Sequence, residues 1–390
     1  MKQRNTPFEG TSVVSKRNFI YLGFLCLVLC SLFVNNAAQS RVHQIGEISL
    51  SNKKSHLWIL GLDDNGYIEN PDNIKNIQKS IEKNKPDLFF LFVHGWRNDA
   101  SVSSQKNGDL LRFKTFIEET ATIFQQHPTL RRWGMEKVMG VYVGWHGSTW
   151  GAFDIFSFWN RAHVAGRIGD NQQTLMEINR LIEQTRKSRP NARVVLIAHS
   201  LGGRIVNGWL NQIEDPVAMD KFLPDLSVVV SPAAPVEQLE TLIENYDQHL
   251  KKNSRRGPRI VWVTSEGDNV TKIAYPIGTF ETAIAQDTKT RTHDILEASA
   301  PKNGTRLCND QDPILVYNLA CDQTLDDWRI KVGENKYISL QQSPLHQAHP
   351  YWVLRLPEEL LPSHMSFFHP KFQSVVAAIF KFSQVGPGAK

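Results

Sequence analysis

Seven short apolar runs recur along the chain: "HLWILGL" from 56, "LFFLFVHGW" from 88, "VMGVYVGW" from 138, "RVVLIAHS" from 193, "LSVVVSP" from 226, "RIVWVTS" from 259 and "YWVLRLP" from 351. Each is strand length and rich in Val, Ile, Phe or Trp, with little polar alternation, as in strands covered on both faces. The stretches between them have helical periodicity. Leu110, Phe113, Ile117, Ala121 and Phe124 recur at spacings of three and four, as do Val236, Leu239, Ile243, Tyr246 and Leu250. Each set is a single apolar stripe suited to packing on a sheet. A polar helix is expected near 72–84, and a last one from about 370 to 383 carrying Phe372, Val375, Val376, Ile379 and Phe380.

Strands alternating with helices predict an α/β fold: a mainly parallel, doubly wound sheet with helices on both faces. The domain is expected over 56–383, after a polar linker at 39–55 and before a short tail at 384–390. From 283 to 349 the alternation lapses into mixed polar sequence. That section is expected to leave the sheet as a cap-like insertion before the last strand.

The run "VVLIAHSLGGRIV" at 194–206 takes an apolar strand through His199 and Ser200 into two glycines and a helical pattern. In parallel sheets, reactive groups gather beyond the carboxyl ends of the strands. A sharp strand-to-helix turn raises a serine hydroxyl there, and its neighbours two before and two after must be small. Ala198 and Gly202 meet that need, so Ser200 is the candidate nucleophile.

A serine hydroxyl needs a base to take its proton and an acid to orient that base. Chain order in such folds is Ser, then Asp or Glu, then His. "VWVTSEGDNVT" places Asp268 in the turn after a strand, with Glu266 two residues earlier as the alternative acid. "LLPSHMSFFHP" offers His364 on the loop between the last strand and last helix, with His369 as the alternative base. His199 is expected to pack or hydrogen-bond, and His346 and His349 to belong to the cap. An oxyanion needs N–H donors; these are expected from Leu201, after the serine, and from Trp96 in "VHGWRND". The second His-Gly pair, His146-Gly147, is expected to line the pocket rim with Trp145 and Trp150. Trp96, Trp145, Trp150, Phe156 and Trp159 together suggest an apolar or lipid-like ester substrate.

Composition narrows the classes. The formal charge is +5, but residues 1–18 hold Lys2, Arg4, Lys16 and Arg17 against Glu9 alone, leaving 40 basic and 38 acidic residues elsewhere. No basic stripe interleaved with aromatics appears, which argues against nucleic-acid binding. The basic flank precedes 16 apolar or small residues, "FIYLGFLCLVLCSLFV" at 19–34, and then "NNAAQS". That succession predicts a signal peptide over 1–38 or an uncleaved N-terminal membrane anchor, with the domain outside the cytoplasm in either case. Beyond it the sequence contains two cysteines, Cys308 and Cys321. An oxidising compartment favours a disulfide between them, with two free thiols as the alternative. No paired-His or clustered-Cys spacing points to a metal, and no cofactor is expected.

The motifs "LFVHGW", "GVYVGW", "LIAHSLGGR", "TSEGDNVT" and "LPSHMSFFHP", in this order, resemble the α/β-hydrolase superfamily and, within it, little-characterised bacterial serine esterase/lipase-like hydrolases. The resemblance implies a Ser200–Asp268–His364 triad with an oxyanion hole at Trp96 and Leu201. It departs from the family at Ala198, where glycine is usual, and at Met365-Ser366, where relatives often show Asn-Asp. The implied activity is ester cleavage through an acyl-enzyme. A thioesterase or amidase would use the same groups, and a catalytically silent, membrane-tethered binding module is the alternative from another class.

Overall fold

The computed structural model describes residues 46–101, 108–126, 136–147, 154–213, 223–242, 258–276, 283–284, 293–299, 319–320, 328–333, 336–342, 351–358 and 360–369, and six positions between 372 and 380. The expected N-terminal segment, Cys308, Cys321, Trp150, His346 and His349 lie outside the described residues, as do the side chains of Phe124 and Phe156. Among the described residues, no helix is long and apolar enough to cross a membrane.

The strands are β1 (Gly46–Ile48), β2 (Ser55–Gly61), β3 (Leu88–Val93), β4 (Val138–Gly144), β5 (Arg193–His199), β6 (Leu226–Val230), β7 (Ile260–Ser265), β8 (His293–Ser299), β9 (Leu319–Ala320), β10 (Trp328–Gly333), β11 (Lys336–Gln342) and β12 (Tyr351–Leu356). They form one sheet in the order β1-β2-β4-β3-β5-β6-β7-β12-β8-β11-β10-β9. From β2 to β8 every pairing is parallel, while β1 at one edge and β11, β10 and β9 at the other run antiparallel to their neighbours.

The helices are α1 (Pro71–Asn84), α2 (Asp109–Gln126), α3 (Asp154–Gly169), α4 (Gln172–Ser188) and α5 (Leu201–Asn211). Asn70 caps α1, its side chain accepting the Asp72 N–H at 3.1 Å, and Pro71 supplies a preset φ at the first turn. Asn171 caps α4 by accepting the Thr174 N–H at 3.0 Å. Residues 236–242 are helical, as are the described positions between 372 and 380.

Because side chains alternate along a strand, the sheet builds two cores. Phe89, Leu91 and Val93 face one side, with Ile77, Ala165, Ile182 and Ile205 from α1, α3, α4 and α5. Leu88, Phe90 and Phe92 face the other, with Phe113 and Ile117 of α2 and Phe372 and Val375 near the C-terminus. Each fully buried Leu, Ile or Phe side chain contributes about 1.5–3 kcal/mol. The doubly wound α/β-hydrolase architecture is therefore present, with β5 near the middle of its parallel part.

Two expectations change. Within 39–55, Gly46–Ile48 forms an edge strand on β2; three residues are too few to print a local pattern, and only the pairing defines them. The section 283–349 does not simply leave the sheet. Its described strands β8 to β11 extend the sheet beyond β12. Here the backbone pairing decides, since ladder hydrogen bonds join main-chain groups whatever side chains the strands carry.

Candidate active site

β5 delivers Ser200 at φ 55 and ψ −121, directly before α5. That backbone conformation strains a residue with a Cβ, typically by about 1–3 kcal/mol. The surroundings enforce it: the Ser200 N–H donates to Val230 O at 3.0 Å, and its carbonyl accepts from Gly203 N at 2.9 Å and Ala233 N at 3.1 Å. Behind the turn, a Cβ on Gly202 would fall 2.3 Å from Val93 O, so α5 can sit this close to β3 only with glycine there.

Ser200 is nearly inaccessible, at 1 % relative exposure. His364 Nε2 lies 2.8 Å from its Oγ, and His364 Nδ1 lies 3.1 Å from both Oδ1 and Oδ2 of Asp268. Asp268 also accepts the N–H groups of Val270 and Thr271, each at 3.1 Å. Burial opposes ionisation of this carboxyl. The hydrogen bond and charge of His364, the nearby Ser231 hydroxyl and the Thr271 N–H outweigh it, and hold Asp268 at about 2, below the usual 3.8. An acceptor-only Asp268 sets the proton of His364 on Nδ1 and leaves Nε2 free to accept from Ser200.

The acid turn and the base loop are stitched together. The Ser265 hydroxyl donates to Leu361 O, and the Gly267 N–H donates back to Ser265 Oγ at 3.0 Å. Glu266, the alternative acid, points elsewhere: its Oε1 is 3.5 Å from Arg355 Nε and its side chain is more than half exposed. His369 is exposed, and its carbonyl accepts the N–H groups of Phe372 and Gln373 at the start of the last helical segment. The structure thus brings together Ser200, His364 and Asp268, and neither alternative joins them.

The β3 loop closes on the serine. A Cβ on Gly95 would fall 2.7 Å from Ser200 Cβ, so only glycine permits this approach. His94 controls the peptide that follows. Its Nε2 accepts the Trp145 N–H at 3.0 Å, which leaves the ring proton on Nδ1 to donate to Gly95 O at 2.8 Å. Gly95 C=O and Trp96 N–H belong to one planar trans peptide, so fixing the carbonyl aims the N–H the opposite way. Neither that N–H nor the Leu201 N–H at the opening of α5 has a backbone acceptor among the described residues. The Arg97 N–H donates to Gly147 O at 2.7 Å, so the second His-Gly pair braces this loop.

That arrangement corrects the rim expectation. Trp145 is fully buried, stacked on His94 with centroids 5.6 Å apart, and its Nε1 donates to His94 O at 2.9 Å. It is a core residue, packed in the cluster on the sheet face that α1, α3, α4 and α5 cover. His146 Nε2 sits 3.2 Å from Glu69 Oε1. Trp96 is part-buried, its Nε1 donating to Ser157 Oγ at 3.1 Å, and Trp159 is partly exposed on α3.

Three further residues contribute to the site without a motif of their own: His94, which orients a peptide; Ser231, buried beside Asp268 at φ 47; and Asp109, fully buried at the start of α2. Ser231 follows β6, the neighbour of the elbow strand, and that position alone was a usable signal. Among the described residues, no group of three or more His, Cys, Asp or Glu is placed to hold a metal ion.

Among curated proteins, none matches the chain. The model of a family described as alpha/beta hydrolase of unknown function (DUF900) matches residues 70–279. This match takes in more than half of the chain, from α1 past Asp268, including Gly95, Trp96 and the whole elbow. By that match, and with the doubly wound sheet to support it, the chain belongs to this family of α/β hydrolases.

Proposed function

We propose that the protein is a serine hydrolase that cleaves carboxylic esters through an acyl-enzyme. The observation that carries this reading is the unbroken line Ser200 Oγ, His364 Nε2, His364 Nδ1 and the Asp268 carboxylate, at 2.8 and 3.1 Å. In the first half-reaction, Ser200 Oγ attacks the ester carbonyl carbon while His364 Nε2 takes its proton. The carbonyl oxygen becomes an oxyanion and accepts from the Leu201 and Trp96 N–H groups, at the positive end of α5. His364 then protonates the leaving alcohol. In the second half, a water attacks the acyl carbon, His364 again taking and returning the proton, and the carboxylic acid departs.

Asp268 stabilises the imidazolium of His364 in both halves without itself becoming protonated. The low Asp268 value supports that role, since the group stays ionised at any physiological pH. The partly exposed ring of Trp96, next to Gly95 on the loop that closes on Ser200, supports an apolar or lipid-like ester, with the Arg97 guanidinium 4.3 Å from its centroid. The N-terminal segment is read with this domain as an export signal or anchor that places it outside the cytoplasm.

Hydrolysis of p-nitrophenyl esters of rising acyl length tests the substrate class. The reading expects turnover that rises from acetate toward medium or long chains and vanishes in Ser200→Ala. Turnover of thioesters or amides with no ester cleavage moves the protein to those classes. A folded protein inert toward all three is the silent binding module.

A further inference from the structure

His199 is fully buried beside the candidate triad yet plays no part in the chemistry just described. By strand alternation its side chain lies on the sheet face opposite Ala198, with Phe92 and α2. Its Nε2 lies 2.8 Å from the carbonyl oxygen of His364. A carbonyl only accepts, so Nε2 carries a proton and donates it. The ring stacks on Phe367 with centroids 4.0 Å apart, and its centroid is 4.9 Å from that of His364. Gly95 covers the other side, a Cβ there falling 3.1 Å from His199 Nδ1. One imidazole therefore touches the oxyanion loop and the base loop, and is bonded in sequence to the nucleophile.

Behind it stands Asp109. Its Oδ2 is 3.7 Å from His199 Nδ1, and neither atom has a hydrogen-bond partner among the described residues. Its other oxygen, Oδ1, is 3.2 Å from Arg112 Nη1. That carboxyl is the polar group facing His199 Nδ1, at a separation longer than a hydrogen bond, and burial disfavours a charged ring there.

We propose that His199, backed by Asp109, is a positioning residue that fixes the main chain of His364 and so holds its imidazole on Ser200. The proposal rests on the serine-hydrolase reading for its catalytic consequence, but not for its geometry. The loop from Pro357 to His369 carries the base without a strand or long helix of its own. Leu360, Leu361 and Phe367 anchor it by burial in the core, while its backbone is held near the site by the Ser265 bond to Leu361 and the His199 bond to His364 itself. Losing the second frees the backbone to which the base is attached. A shift of about 1 Å in a catalytic group costs about 100-fold.

Four variants, His199→Phe, His199→Gln, Asp109→Ala and Asp109→Asn, test this by two readouts. One is the low-field proton resonance of His364 Nδ1–H against Asp268, identified by its loss in Asp268→Ala. The other is the split between kcat and KM on a p-nitrophenyl ester. His199→Phe keeps the stack on Phe367 but has no donor; it is expected to shift or broaden the resonance and lower kcat about 10- to 100-fold, with KM within about twofold. His199→Gln restores an N–H toward the carbonyl and is expected to return both readouts to near wild type. Asp109→Asn offers an N–H to Nδ1 and should likewise preserve them, while Asp109→Ala should not, which decides the matter if His199→Phe does not fold. An unmoved resonance and unchanged kcat in folded His199→Phe and Asp109→Ala would overturn the proposal. A moved resonance in a protein whose wild type cleaves no ester leaves the positioning role standing and removes the hydrolase reading instead.

Discussion

His364 Nε2 rests 2.8 Å from Ser200 Oγ although 164 residues separate them in the chain. The sheet accounts for the meeting. β5 ends in the nucleophile, β7 ends two strands away in the acid turn, and β12 pairs in parallel with β7, so its outgoing loop emerges at the same edge. Parallel register turns sequence distance into proximity.

The pairing at His364 assigns the base. His364→Ala is expected to lower kcat about 10³- to 10⁴-fold, leaving what the oxyanion donors and binding alone provide. His369→Ala is expected to stay within about twofold, because that side chain is exposed at a helix entry. Steady-state kinetics on one ester, with both variants checked for folding, separates them.

Asp268 makes a prediction in pH as well as in rate. Asp268→Asn should reduce kcat about 10⁴-fold by favouring the wrong tautomer of His364, while Glu266→Gln should be near neutral. The folded carboxyl titrates at about 2 against an ordinary 3.8. Its ionised form therefore stabilises the fold fully above about pH 4, and the contribution is lost as pH falls toward 2. The linkage is worth about 2 kcal/mol. Urea unfolding across that window should show wild type losing this stability and Asp268→Asn lacking the slope; parallel curves would contradict the assignment.

At the elbow, Gly202→Ala would place a Cβ 2.3 Å from Val93 O. Backbone, unlike a side-chain tip, cannot swing away, so β3 and α5 must part. A loss of about 1–3 kcal/mol in unfolding free energy is expected, together with slower acylation of Ser200. Full stability and full activity in this variant would show that β3 and α5 do not need glycine between them.

His94 is expected to act on the oxyanion at one remove. His94→Phe keeps a ring between Tyr142 and Trp145 but removes the proton that holds Gly95 O. Losing the aim of one N–H donor is expected to cost about 100-fold in kcat, with KM little changed. An equal rise in KM and retained kcat would place His94 in ground-state binding instead.

Much of this was legible in the chain. Unbroken apolar strands between single-stripe helices mark a covered parallel sheet, and the small residues flanking Ser200 mark the turn. What escaped depends on partners remote in sequence. Gly46–Ile48 is a strand only because β2 offers it an edge, and β8 to β11 pair through backbone groups that side-chain patterning does not report. Trp145, read as a rim residue, is buried because His94 stacks on it from another strand end. Asp109 looks like any acidic residue in a first helical turn until β5 brings His199 against it.

A Ser200 hydroxyl activated by its neighbours is open to covalent capture. Treatment with a fluorophosphonate, followed by peptide mass spectrometry, should place one phosphonyl adduct on Ser200, absent in Ser200→Ala and strongly slowed in His364→Ala. A correctly folded protein that takes no label, or takes it on another residue, would rule out Ser200 as the nucleophile.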